Sequence, residues 1–165
     1  MKRAIYFLAL TALPTIFSCA GITASKWSPY VFDGNRFSIA TSNTAAAIWV
    51  RNGHLPAASD VQPDPTATPP LPKGTGAVAG ICYLQSTGGK SSAQSHFIPY
   101  ANEQVTFKGK TDGVSVAITD KNGYFLNHLH KGDYELFCRG IKREFTIREG
   151  ETTFVPIRGG KRMAD

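Results

Sequence analysis

Three groups of residues have types that could do chemistry. His128 and His130 flank a single leucine in Tyr124-Phe125-Leu126-Asn127-His128-Leu129-His130. A His-x-His pair can hold iron, zinc or copper when a third protein ligand joins it, and His96 or Tyr100 would have to supply that ligand. Just upstream, Asp120-Lys121-Asn122-Gly123 stands in the register of a calcium loop. Such a loop needs further acidic oxygens at alternate positions, and Val114-Ser115-Val116-Ala117-Ile118-Thr119 supplies none. The better reading of Asn122-Gly123 is a tight type I′ turn in a structural hairpin, because both residues tolerate positive φ. Leu129 then points inward, which turns both imidazoles towards solvent, where two ligands make a weak metal site. The third group is the cysteines, Cys19, Cys82 and Cys138. No Gly-x-Ser-x-Gly, phosphate loop or paired carboxylate stands elsewhere, and no cofactor is expected.

The compartment decides what the thiols can do. Lys2 and Arg3 precede an apolar run from Ala4 to Phe17 that is too short to span a bilayer and is followed by small residues, the pattern of an export signal over residues 1–20. Ile16-Phe17-Ser18-Cys19 resembles a lipobox, in which Cys19 is acylated and becomes the mature N-terminus; cleavage after Ser18-Cys19-Ala20 is the alternative. The expected location is the periplasm or cell envelope, with a lipid tether to the outer membrane if Cys19 is acylated. Loss of Lys2 and Arg3 takes the basic residues from 18 to 16 against 12 acidic ones, so the net charge falls from +6 to +4. The remaining basic residues are scattered apart from a short tail with Arg158, Lys161 and Arg162, with no basic helix or aromatic-basic stripe, so nucleic acid is not an expected partner.

The elements that must position these residues are strands. Residues 56–75 are rich in Pro, Ala and Thr and read as a semi-extended linker. They separate a short aromatic segment, 21–55, from a domain over 76–165. In the aromatic segment Asp33-Gly34 sits between alternating runs as a hairpin signal, and the stretch around Ile48-Trp49-Val50 reads as a short helix or a third strand. So few elements cannot hold a fold alone. Trp27, Tyr30, Phe32, Phe37 and Trp49 must therefore pack on the C-terminal domain or on a partner. From Gly76 onward seven short strand-like segments are joined by Gly, Asn and Asp turns, which predicts an all-β, antiparallel sandwich.

The order and spacing of Gly76-x-Val78-x-Gly80, Pro99-Tyr100-Ala101, Val105-x-Phe107, Thr119-Asp120-x-x-Gly123-x-Phe125 and Leu129-x-x-Gly132-x-Tyr134-x-Leu136 resemble a carboxypeptidase regulatory-like domain. The resemblance covers Gly76 to about Arg158 and implies a seven-stranded transthyretin-like, or prealbumin-like, β-sandwich. The loop from Gln85 to Ile98 is longer than usual in that family, and the turn after Cys138 is shorter. The resemblance also implies that Val78, Tyr134 and Leu136 point inward. Cys82 and Cys138, on the same faces of their strands, would then meet between opposite sheets and form a disulfide in an oxidising compartment.

Enzymes that resemble this fold are tested residue by residue. Intradiol dioxygenases carry their His-x-His after the Gly-x-Tyr strand, whereas His128 and His130 precede it. Hydroxyisourate hydrolases need a first-strand His and a terminal Tyr-Arg-Gly-Ser, and adhesin isopeptide bonds need a first-strand Lys and a last-strand Asn. The expected function is thus a non-enzymatic envelope binding or scaffolding module held on a linker. Its partner would be another envelope protein or a glycan, with the membrane met only through a lipid anchor. The alternative is a small dioxygenase-like metalloenzyme using His128 and His130.

Overall fold

The computed structural model of the protein describes residues 26–40, 47–64, 66, 68–87, 96–110 and 112–163. The expected signal segment, with Cys19, lies outside them, as do residues 88–95 of the long loop. The described residues form twelve strands: β1 (Ser28–Phe32), β2 (Phe37–Ile39), β3 (Ala47–Val50), β4 (Ala57–Ser59), β5 (Thr75–Thr87), β6 (His96–Pro99), β7 (Gln104–Gly109), β8 (Val114–Ile118), β9 (Tyr124–His130), β10 (Gly132–Cys138), β11 (Ile141–Ile147) and β12 (Thr152–Met163). No helix occurs among them.

The strands lie in three layers. An N-terminal sheet has the order β2-β1-β3-β4, and an outer sheet has the order β11-β10-β7-β8. Between them lies a central sheet of β12, β5 and β6, with β9 also paired to β5. β5 is the shared wall: residues 75–83 are all buried. Val78 and Cys82 face the outer sheet, in a core with Phe107, Phe125, Leu136 and Ile157. Ala79, Ile81 and Tyr83 alternate to the opposite face and pack against Phe32, Ile48 and Val50. Gly80 lies opposite Phe125 in the register, and any Cβ there would sit 2.2 Å from Phe125 Cζ and from the Val155 carbonyl, so only glycine fits.

The aromatic segment therefore packs on its own chain. Phe32 meets Tyr83 and Phe97 with ring centroids 4.7 and 5.2 Å apart, and Phe37 stacks on Phe154 at 4.6 Å. Asp33 forms the expected hairpin by accepting the backbone N–H groups of Asn35 and Arg36. Ile48-Trp49-Val50 is a strand, not a helix.

Two expectations about the sandwich change. The seven expected segments all form strands, but β6 arises in addition within the long loop, so the described residues from β5 onward hold eight strands. β12 pairs with β5 in parallel, so the central sheet is mixed and not purely antiparallel. The cause is a crossing between layers, since β11 ends in the outer sheet and β12 continues in the central one.

The stretch 56–75 contributes structure where its composition suggested a spacer. β4 extends the N-terminal sheet, and the chain then returns so that His54 bridges Pro70. Prolines, which cannot donate, accept here instead: Leu55 donates to the Pro69 carbonyl at 3.2 Å, and Thr75 Oγ1 donates to that of Pro72 at 2.6 Å.

Candidate interaction surface

The Thr119–His130 stretch is structural, though not as a hairpin. β8 belongs to the outer sheet and β9 to the central one, so the turn carries the chain between layers. Asp120 Oδ1 accepts the N–H groups of Asn122 and Tyr124 at 2.9 and 2.8 Å, while Gly123 donates to the Asp120 carbonyl at 3.0 Å. Only Gly123 has positive φ, at 77°, so the type I′ expectation for Asn122-Gly123 does not hold. The type I′ dihedrals occur instead at Arg139-Gly140, with φ of 50° and 77°, in the short loop joining β10 to β11. Arg139 is held there by the Glu103 carboxylate and by the Tyr100 ring, 4.4 Å from its guanidinium carbon.

His128 and His130 are exposed on either side of buried Leu129. Tyr100 cannot complete their site. Its N–H donates to the Cys82 carbonyl, whereas His128 pairs with Ala77, five residues back along β5 and so about 17 Å away. Among the described residues no group of three or more His, Cys, Asp or Glu side chains could hold a metal.

Cys82 and Cys138 do meet across the layers. Both are buried, and Cys82 Sγ donates to Cys138 Sγ at 2.9 Å. They are free thiols in contact, so the expected disulfide is not formed here and the juxtaposition alone is observed. The hydrogen bond to Cys138, followed by burial, holds the Cys82 thiol well above its ordinary pKa. The same bond lowers that of Cys138, whose sulfur is the acceptor.

The outward face of the outer sheet is not covered by any described element. Across it, residues line up in rows: Val114, Lys108, Glu135 and Glu144 in one, then Val116, Thr106, Phe137 and Lys142. The half towards β11 is charged and internally paired. Lys142 bridges Glu135 and Glu144, Lys110 meets Asp133 at 3.1 Å, and Thr146 donates to Asp133 at 2.8 Å. Accordingly Glu135 is held below the ordinary carboxylate range by Lys142, and Asp133 by Thr146 and then Lys110. An open cleft of about 720 Å³ runs over Lys108, Lys110, Tyr134 and Phe145. Tyr134 is buried and donates to Asp112 at 2.7 Å; burial, then that carboxylate, push its pKa up, so it serves as a donor and not as a base.

The half towards β8 is apolar. Val114, Val116 and Ile118 are 65%, 49% and 57% exposed, a row of aliphatic side chains on one strand. Sequence reading took this stretch only as one of seven strand-like segments and did not single out its outward face. The signal was present: the small residues of that strand, Ser115 and Ala117, turn towards the interior, and the large ones turn out.

No family model matches the chain, and no curated protein matches it. Among solved structures, a crystal structure of a candidate carbohydrate binding protein from Pseudomonas aeruginosa aligns over 53% of this chain and 90% of its own, with 16% identity and a TM-score of 0.36. A likeness that loose transfers neither architecture nor ligand.

Proposed function

We propose that the protein is a non-enzymatic binding or scaffolding module of the cell envelope, built on a sandwich of the carboxypeptidase regulatory-like kind and exported by residues 1–20. Acylation of Cys19 would tether it to the outer membrane, and its partner is another envelope protein or a glycan. The observation that carries this reading is the exposed Val114, Val116 and Ile118 row. The central sheet's other face is covered by the N-terminal sheet, yet no described element covers this one. Contiguous apolar exposure beside paired charges is the composition of an interaction face.

The motif residues support a structural domain. Phe125, Leu129, Tyr134 and Leu136 are spent on the core, while Asp120 and Gly123 are spent on the turn. Crosslinking in intact cells tests the reading: Val116→Lys should abolish an adduct that His128→Ala leaves intact. Stoichiometric iron, copper or zinc that is lost in a His128→Ala/His130→Ala variant would overturn it in favour of a metalloenzyme.

A further inference from the structure

The edge of the outer sheet is open at β8, and its main chain shows how. Gly109 donates to the Gly113 carbonyl at 3.0 Å, and Thr119 donates to the Glu103 carbonyl at 2.9 Å. The β7–β8 register runs between these bonds without a bulge. In an antiparallel pair such bonds recur at every second residue. The residues of β8 that bond to β7 are therefore the odd-numbered ones, and the N–H and C=O groups of Val114, Val116 and Ile118 point away from the sheet. Among the described residues no strand pairs with that edge.

Sheet edges are normally blunted by brevity, charge, proline or bulges. The other edges among the described strands follow that rule. β2 and β4 have three residues each, β6 ends in Pro99, β11 carries Lys142, Arg143 and Glu144, and β12 carries Pro156 and a bulge near Gly159. β9 is tied to β8, since Asn127 Nδ2 donates to Ser115 Oγ at 2.9 Å. β8 itself, Val-Ser-Val-Ala-Ile, has no charge, no proline and no bulge.

We infer that β8 pairs antiparallel with β8 of a second copy, making a symmetric dimer. The strand is self-complementary about Val116: a two-fold axis there sets Val116 against Val116 and Val114 against Ile118, each pair exchanging both of its N–H···O bonds. The same register joins the exposed aliphatic rows of the two copies into one strip and fuses two four-stranded outer sheets. Just beyond the strand, Asp112 would oppose Asp120, which confines the pairing to these five residues. Asp112 is engaged by Tyr134 and Asp120 by its own turn, so neither carboxylate needs a partner across the axis. A contact this small falls below the area of stable interfaces, so the dimer is weak, with a Kd on the order of tens of micromolar. The inference rests on reading this face as an interaction surface.

Sedimentation equilibrium on the protein as the cell processes it, from about 1 μM to about 1 mM, tests the pairing. A monomer–dimer equilibrium should appear in that range. NMR amide exchange at Val114, Val116 and Ile118 should slow as the concentration rises. Val116→Pro is the decisive variant. It deletes an N–H that β7 does not use, so the monomer should fold, yet it removes the central bonds of the dimer and should weaken association about tenfold or more. Val116→Lys, which sets two ammonium groups against each other, should do the same. A chain monomeric to 1 mM, or a dimer indifferent to Val116→Pro, overturns the inference. If the protein is monomeric while Val116→Lys still abolishes an envelope adduct, self-pairing fails and the binding-face reading stands. A Val116→Pro-sensitive dimer with no other adduct gives the reverse.

Discussion

Exposure of the protein to oxidised glutathione should convert the Cys82 and Cys138 thiols into a disulfide. The sulfurs are already in contact at 2.9 Å, and they join strands β5 and β10 of different sheets. In the reaction each thiol gives up a proton, an S–S bond forms, and the two electrons reduce the glutathione disulfide to two glutathione thiols. Because both residues are buried, exchange should be slow and should quicken in low, non-denaturing urea.

The residues lie 56 apart in sequence. Closing a loop of that length removes denatured-chain entropy worth roughly 4 kcal/mol on the chain-entropy model. At about 2–4 °C per kcal/mol for a chain of this size, the oxidised form should melt roughly 8–16 °C above the reduced form. Comparing the two redox forms of one chain keeps every other contact constant. The assay is a thiol count on denatured, unreduced protein, paired with calorimetry of both forms. Two titratable thiols after prolonged oxidation, or equal melting temperatures despite a bridge, would refute the reasoning.

Two stability predictions follow from the packing. Gly123→Ala should cost about 1–3 kcal/mol or more in urea unfolding, because φ is 77° and a Cβ would lie 2.7 Å from the Cys82 carbonyl oxygen. Phe32→Ala should cost about 3–5 kcal/mol by the same measurement and should expose the N-terminal sheet to protease, since Phe32 is the buried ring between Tyr83, Phe97 and Phe37.

Local chemistry was legible in the sequence because it depends on neighbours in the chain. Alternation put Val105 with Phe107, and Tyr134 with Leu136 and Cys138, on one face of each strand, the resemblance implied that the face of Tyr134 and Leu136 is inward, and these residues lie in the core. Asp33-Gly34 determined a hairpin because the carboxylate reaches its own backbone two and three residues on. The meeting of Cys82 with Cys138 came from strand parity together with the family resemblance, and the tertiary structure places them as thiols.

Tertiary structure alone decided which surface each element meets. Residues 77–83, Ala-Val-Ala-Gly-Ile-Cys-Tyr, were read as part of a strand whose inward face carries Val78 and Cys82. They are an almost unbroken apolar run because the N-terminal sheet covers the second face, and periodicity cannot say what lies on either side. The turn at Asn122-Gly123 looked like a hairpin, but turn chemistry fixes only the reversal of the chain and not the sheet that the next strand joins. The Pro-, Ala- and Thr-rich composition of 56–75 suggested a spacer, yet the Pro69 carbonyl accepts from Leu55, a residue brought near by folding. The same holds for Val114, Val116 and Ile118. Their spacing put them on one face, and only the layering of the sheets left that face and its edge without a described cover.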